Sequence, residues 1–212
     1  MKIFFKTLTL LLIVILVLYL LILGLSSLVP ASQMISLPWY ITRASALTAY
    51  GLMFLVVVLG TGMTSSYIYG LINPARAWKI HKYLSLAMTL MVLLHVGSLL
   101  FDKFINLRLQ DVLIPFVSPY RPFFISLGIF GFYILLAIIL ISIFLRLKMP
   151  RFWRSTHYWV YPLFGLGIIH GLFMGTDSPT PIMQFVYWST GIIFVILLIY
   201  RFIFYRSKIK FS

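Results

Sequence analysis

The chain has 212 residues, 62% of them hydrophobic and only 9% charged, with a mean hydropathy of +1.08, where an ordinary soluble domain carries roughly a quarter charged residues; this is the composition of an integral membrane protein. Its net charge of +14 reflects bases placed around a membrane, so nucleic-acid binding is a poor account of it. Cysteine is absent and Asp102, Asp111 and Asp177 are the only acids, which excludes disulfides, thiolate zinc sites, iron–sulfur clusters and cysteine nucleophiles and argues against metal-assisted or acid–base hydrolysis.

In chain order, six charge-free apolar runs meet or approach the roughly 20 residues that a membrane-crossing helix requires: 7–27, 44–62, 83–101, 122–145, 156–175 and 182–200. Short segments rich in Pro, Gly, Asn and Asp separate them, among them "LINPAR" and "GTDSPTP". The first run is too long for the apolar region of a signal peptide, about 7–15 residues, and no A-x-A site follows it, so it is expected to be a retained helix.

Lys and Arg set the orientation. Thirteen bases fall on one side of a six-helix arrangement: Lys2, Lys6, Arg76, Lys79, Lys82, Arg146, Lys148, Arg151, Arg154, Arg201, Arg206, Lys208 and Lys210. Arg43, Lys103, Arg108 and Arg121 fall on the other, together with all three acids. By the positive-inside rule both termini are cytoplasmic and the protein is a multi-pass component of the cell (cytoplasmic) membrane, with lipid as its first partner.

The chain has four histidines, all in the third and fifth runs or at their edges: His81 and His95, 14 residues apart, and His157 and His170, 13 apart. At 1.5 Å per residue each pair spans roughly 20 Å. The two helices run the same way, so His81 and His157 share one depth, near the cytoplasmic face, and His95 and His170 share another. Two facing imidazoles at one depth suit the axial positions of a haem iron, and ligation satisfies ring nitrogens that lipid cannot. Helical rotation agrees only for the first pair: a 14-residue step returns to within about 40° of the same face, but a 13-residue step lands about 140° away. Pro162, Gly165 and Gly167 allow the fifth helix to bend. Gly167, Gly171 and Gly175 form a smooth stripe on that helix, suited either to close helix packing or to the edge of a macrocycle. A divalent-metal transporter is the competing use of four histidines; the spacing between levels and the lack of an intramembrane carboxylate weigh against it.

The H-x13-H of His81 and His95 and the H-x12-H of His157 and His170 match a known pattern, as do "TRASALTAYGL", "HKYLSLAMTLMVLLH", "DVLIPFVSPYRPFFISLG", "WRSTHYWVY" and "HGLFMGTDS". Over about residues 43–177 the chain resembles the ferric reductase-like transmembrane domain family, which includes the membrane domains of NADPH oxidases and ferric reductases and the haem-binding membrane subunit of the bacterial methionine sulfoxide reductase system. The resemblance implies an all-α, six-helix membrane bundle with two b-type haems between the third and fifth helices. His81 and His157 would ligate the cytoplasmic-side haem, and His95 and His170 the outer one. The expected divisions are 1–41, a first helix and outer loop; 42–177, the haem-binding core; and 178–212, a sixth helix and basic tail.

Oxidases and reductases of that family continue into a flavin- and nicotinamide-binding domain. These 212 residues contain no G-x-G-x-x-G between a strand and a helix. The expectation is therefore an electron-transfer component that takes electrons from a separate flavin reductase or a quinol. It would pass them outward to ferric iron, oxygen or a periplasmic or extracellular redox partner. A methionine sulfoxide reductase-like repair subunit is the alternative of the same class, and a non-redox haem or metal transporter or sensor that of another. Arg43 and Arg121, at the outer helix ends, are candidates to contact a haem propionate or an anionic acceptor, or to serve as interfacial anchors.

Overall fold

The computed structural model describes residues 37–64, 70–102 and 105–209. The chain divides into two compact units, Met1–Pro38 and Trp39–Ser212, and the described residues belong almost entirely to the second. The expected span at 7–27 lies outside them, as do Lys2, Lys6, Lys103 and Lys210.

All regular structure among the described residues is helical: α1 Leu37–Thr64, α2 Pro74–Leu99, α3 Leu109–Leu113, α4 Pro122–Phe144, α5 Pro150–His157, α6 Val160–Met174 and α7 Pro181–Ile209. Four helices begin on proline (Pro74, Pro122, Pro150 and Pro181), the residue whose fixed φ and missing N–H suit the first helical position. Ahead of α2, Asn73 completes the start by accepting a hydrogen bond from the Ala75 N–H at 2.9 Å. Among the described residues, four segments are long and apolar enough to cross a membrane: Leu37–Thr64, Pro74–Leu99, Pro122–Phe144 and Pro181–Arg201.

The expected fifth span departs from this pattern. It divides at Tyr158 and Trp159 into the 8-residue α5 and the 15-residue α6, and 15 residues rise only about 22 Å against the roughly 30 Å of a hydrocarbon core. The cause is local. Pro162 has no N–H to offer the carbonyl of Tyr158, four residues earlier. That carbonyl instead accepts from the Tyr161 N–H at 3.2 Å, and Trp159 N–H donates to Thr156 at 3.1 Å, two tight i→i+3 turns in succession. Each residue wound this way turns by about 120° rather than 100°.

Short as it is, α6 sits at the centre. Phe164, fully buried, packs with Tyr50 and Val57 of α1 and Tyr187 and Phe194 of α7. Its neighbour Leu163 faces the other way, into Met88 of α2 and Leu135 and Ile138 of α4. Hydroxyl pairs tie helices across the interior: Thr42 with Ser98 at 2.7 Å, Thr61 with Tyr161 at 3.2 Å, and Tyr50 with Thr190. Lipid gives helices no hydrophobic reason to associate, so such bonds and close packing carry more of the assembly than in water. Outward-facing Ile182, Phe185, Trp188, Ile192 and Ile196 of α7 remain exposed, as a lipid-facing surface requires.

The two ends differ in charge, as expected. At the basic end, called inner after the orientation expected from the sequence, the Arg146 guanidinium lies 4.9 Å from the Trp78 ring centre, and Arg201 donates to the Tyr158 hydroxyl at 3.0 Å. This joins the start of α2, the α4–α5 link, the α5–α6 break and α7. At the outer end Arg43 pairs with Asp177, and Arg108 with Asp111.

Candidate functional site

The four histidines come together as two pairs, each with one member from α2 and one from the α5–α6 segment. At the inner end the ring centroids of His81 and His157 are 6.3 Å apart with planes at 61°; at the outer end those of His95 and His170 are 6.5 Å apart at 77°. Because α2 is unbroken between His81 and His95, the levels are separated by about 21 Å along it. The tight turns at Tyr158–Tyr161 overwind the backbone between His157 and His170 and so reduce the angular conflict of the 13-residue step.

Neither pair is hydrogen-bonded to itself. The outer rings are held from behind: His95 Nδ1 is 3.1 Å from the Thr42 carbonyl and His170 Nδ1 is 2.8 Å from the Phe124 carbonyl. Those bonds engage each ring through Nδ1 and leave Nε2 as the nitrogen available to ligate. At the inner pair, the Nδ1 atoms of His81 and His157 are buried without a hydrogen-bond partner. The spacing itself can be tested. Two nitrogens each about 2.0 Å from a common metal, on rings of about 1.2 Å radius, put the centroids about 6.4 Å apart. Both pairs meet that separation to within a tenth or two of an ångström.

A cavity of about 250 Å³ opens beside the outer pair, lined by His95, His170, Met53, Met88, Gly167 and Gly171. Its outer mouth carries Trp39, Arg43, Asp102 and Asp177. The inner pair does not line it. The stripe of Gly167, Gly171 and Gly175 borders this cavity and is also closely packed: a Cβ would overlap Met53 Cε at Gly167 and stand 2.8 Å from the Tyr187 hydroxyl at Gly171. The stripe is therefore closely packed and also faces the cavity.

Two glycines not singled out by the sequence matter more directly. A Cβ at Gly60 of α1 would lie 3.1 Å from His81 Cε1, and one at Gly128 of α4 only 2.6 Å from His170 Cε1. Each is the bare spot against which a histidine ring rests. Their signal was depth: each lies on a neighbouring helix level with its histidine, one glycine among 13.

The two candidate arginines differ. Arg43 lines the cavity mouth, donates through Nε to Asp177 Oδ2 at 3.0 Å and through Nη2 to Oδ1, and stacks 4.0 Å over Trp39. Arg121 does not line the cavity; its guanidinium donates to the Phe173 carbonyl and its own backbone is left-handed, with φ 41°. Asp177 as the partner of Arg43 was not expected, although it is one of only three acids in the chain.

No three of His, Cys, Asp or Glu converge on a common point among the described residues. Each histidine pair therefore offers two protein donors and no carboxylate, too few for a bare divalent ion, which takes four or more ligands. The pairs suit a group that brings the remaining donors itself, as a macrocycle-bound iron does.

No curated protein and no solved structure matches the chain. A family model described as a domain of unknown function, DUF8596, matches residues 37–177, a stretch that contains all four histidines, both candidate arginines and Asp177. The chain belongs to the DUF8596 family.

Proposed function

We propose that the chain is a membrane b-type cytochrome that holds two haems, one between each histidine pair, and passes electrons across the cytoplasmic membrane. The observation that carries this is the pair spacing: centroids 6.3 and 6.5 Å apart, too far for the rings to bond each other and right for one metal between them. Bound there, haem supplies one-electron oxidation and reduction at its iron. The chain's own residues do the rest. His81, His157, His95 and His170 ligate; Thr42 and Phe124 fix the outer tautomers; Gly60 and Gly128 leave room for rings; and Met53, Met88 and Leu163 keep the outer cavity apolar.

The likeness to the ferric reductase-like transmembrane domain supports the same reading. With the basic end cytoplasmic, electrons travel from a separate flavin reductase or quinol through the inner pair to the outer one. Ferric iron, oxygen or an extracytoplasmic redox partner receives them there. Purified protein is expected to show a reducible b-type spectrum with two low-spin haems per chain. His95→Ala or His170→Ala should remove the outer haem, and His81→Ala or His157→Ala the inner one. Protein that carries no haem, or four variants that each still carry two, would overturn the reading.

A further inference from the structure

The two histidine pairs match in spacing and differ in what stands behind them. Both outer Nδ1 atoms reach a backbone carbonyl, Thr42 at 3.1 Å and Phe124 at 2.8 Å. Neither inner Nδ1 atom meets such a partner at full hydrogen-bond geometry: His81 has only a weaker interaction with the Val56 carbonyl, and His157 has none. An N–H that donates to a carbonyl pushes electron density into its ring and makes the opposite nitrogen a stronger donor. A stronger donor favours the oxidised, more positive metal and lowers the reduction potential.

Fixed charge acts in the same direction. The inner end carries the bases of the α2 start and the α4–α5 link and no acid, whereas at the outer end Asp102, Asp111 and Asp177 nearly balance the bases there. Positive surroundings favour the reduced form. Most of the inner bases are exposed and screened, so the buried hydrogen bonds are the larger cause.

We infer that the outer pair sets a lower reduction potential than the inner pair, so that an electron moving outward climbs, and the chain presents outside a stronger one-electron reductant than it accepts inside. The inference rests on the proposed haem ligation. The step between levels moves one electron, oxidising the inner iron and reducing the outer one, with no proton. An inside-negative membrane potential favours outward movement of negative charge and offsets the climb.

The test is a potentiometric titration of the full-length, haem-loaded protein in lipid nanodiscs, followed by haem absorbance. Two inflections are expected, and in His81→Ala, which keeps only the outer pair, the lower one should remain. Gly60→Ser isolates the cause. A Cβ there stands 3.6 Å from His81 Nδ1 and 3.1 Å from its Cε1, so a serine hydroxyl would supply the missing acceptor, and alanine would make the same contact without it; the inner inflection should lie lower in Gly60→Ser than in Gly60→Ala. In the opposite sense, Gly128→Ala would push the His170 ring off the Phe124 carbonyl and raise the outer inflection. Coincident inflections, a reversed order, or an inner inflection no lower in Gly60→Ser than in Gly60→Ala would overturn the inference while leaving two-haem binding standing. Protein without haem would overturn the proposed function itself.

Discussion

The indole of Trp153 lies against the imidazole of His157, ring centroids 5.3 Å apart and planes tilted by 35°, while its Nε1 donates to the Ser142 hydroxyl at 3.1 Å. The two residues are one turn apart on α5. Ser142 of α4 thus fixes the indole, and the indole fixes a ring whose Nδ1 has no hydrogen bond to hold it. An aromatic contact of this kind is worth about 0.5–1.5 kcal/mol. Trp153→Ala is expected to weaken haem retention at the inner pair by roughly two- to tenfold on that basis. Trp153→Phe, which keeps a ring and loses only the Ser142 bond, should lie between. Haem-to-protein ratio after dilution in detergent measures this, with the outer haem as the internal standard.

Arg43 and Arg121 should separate cleanly. Arg43 sits at the cavity mouth with its charge matched by Asp177, whereas Arg121 donates to a backbone carbonyl away from the cavity. Arg43→Gln leaves Asp177 without its ion pair beside the outer site, and the added negative field should lower the outer reduction potential. Arg121→Gln should leave that potential unchanged. A shift of equal size in both variants would show that outer-surface charge in general is responsible.

Phe164 is fully buried between α1 and α7, with Phe194 centred 4.8 Å away and Tyr50 5.9 Å away. In lipid the transfer part of a large-to-small penalty is small, because the alternative surroundings are also apolar. The cavity part remains: at about 24 cal/mol per Å³ and roughly 100 Å³ lost, Phe164→Ala costs on the order of 2 kcal/mol. Phe185→Ala, on a side chain 73% exposed, should cost almost nothing. Thermal unfolding in detergent compares the two, and similar losses would mean that α6 is not the packing centre.

The histidine pairing was legible because it depends on little besides depth, and depth follows from residue count at 1.5 Å per residue. Charge at the two ends was legible for the same reason: Arg146 and Trp78, far apart in sequence, meet where the positive-inside count puts both. The division of the fifth span was only half legible. Pro162 signalled a bend, but the helix yields at the carbonyl that Pro162 leaves without its donor, at Tyr158. Rotation about a helix axis was not legible at all. The contacts of Gly60 with His81 and of Gly128 with His170 need the relative rotation of neighbouring helices, which near-uniform apolar faces do not specify; α4, whose residues are apolar on every side, shows this most plainly.

Asp111, buried on the short outer helix α3, accepts hydrogen bonds through Oδ2 from the Arg108 backbone N–H at 2.9 Å and from its Nε at 3.3 Å. The backbone bond, reinforced by the guanidinium, holds its carboxyl below the usual carboxylate range. For a depressed carboxyl the stabilising contribution is fully present above the unfolded value of about 3.9 and is lost as pH falls through the folded value. Asp111→Asn cannot accept as an anion at any pH. At pH 7 the amide of Arg108 should therefore exchange faster in Asp111→Asn than in the unaltered protein. The gap should narrow as pH falls below about 4 and close once the carboxyl is protonated. A gap that persists undiminished at low pH would remove the carboxylate from its assigned role.

The inner end presents exposed Arg151 and Arg154 on α5, the helix that ends at His157, beside the link that carries Arg146 and Lys148. Positive-inside insertion accounts for bases at this end. Their concentration there has a second consequence: it attracts an anionic donor, such as an acidic flavoprotein or a flavin carrying a phosphate, through long-range forces that salt screens. On the proposed reading, electrons reach the inner pair from a separate donor rather than directly from NADPH. Purified haem-loaded protein mixed with NADPH alone is expected to stay oxidised. A flavin reductase with free flavin, or a quinol, should reduce it. The flavin route should slow as ionic strength rises past the point where the screening length falls below about 10 Å, whereas an uncharged quinol arriving through the lipid should be indifferent to salt. Arg151→Gln combined with Arg154→Gln should lower the flavin-route rate at low salt and converge with the unaltered protein at high salt. Rapid reduction by NADPH with nothing added would mean that electrons reach the inner pair without the separate donor on which this reading depends.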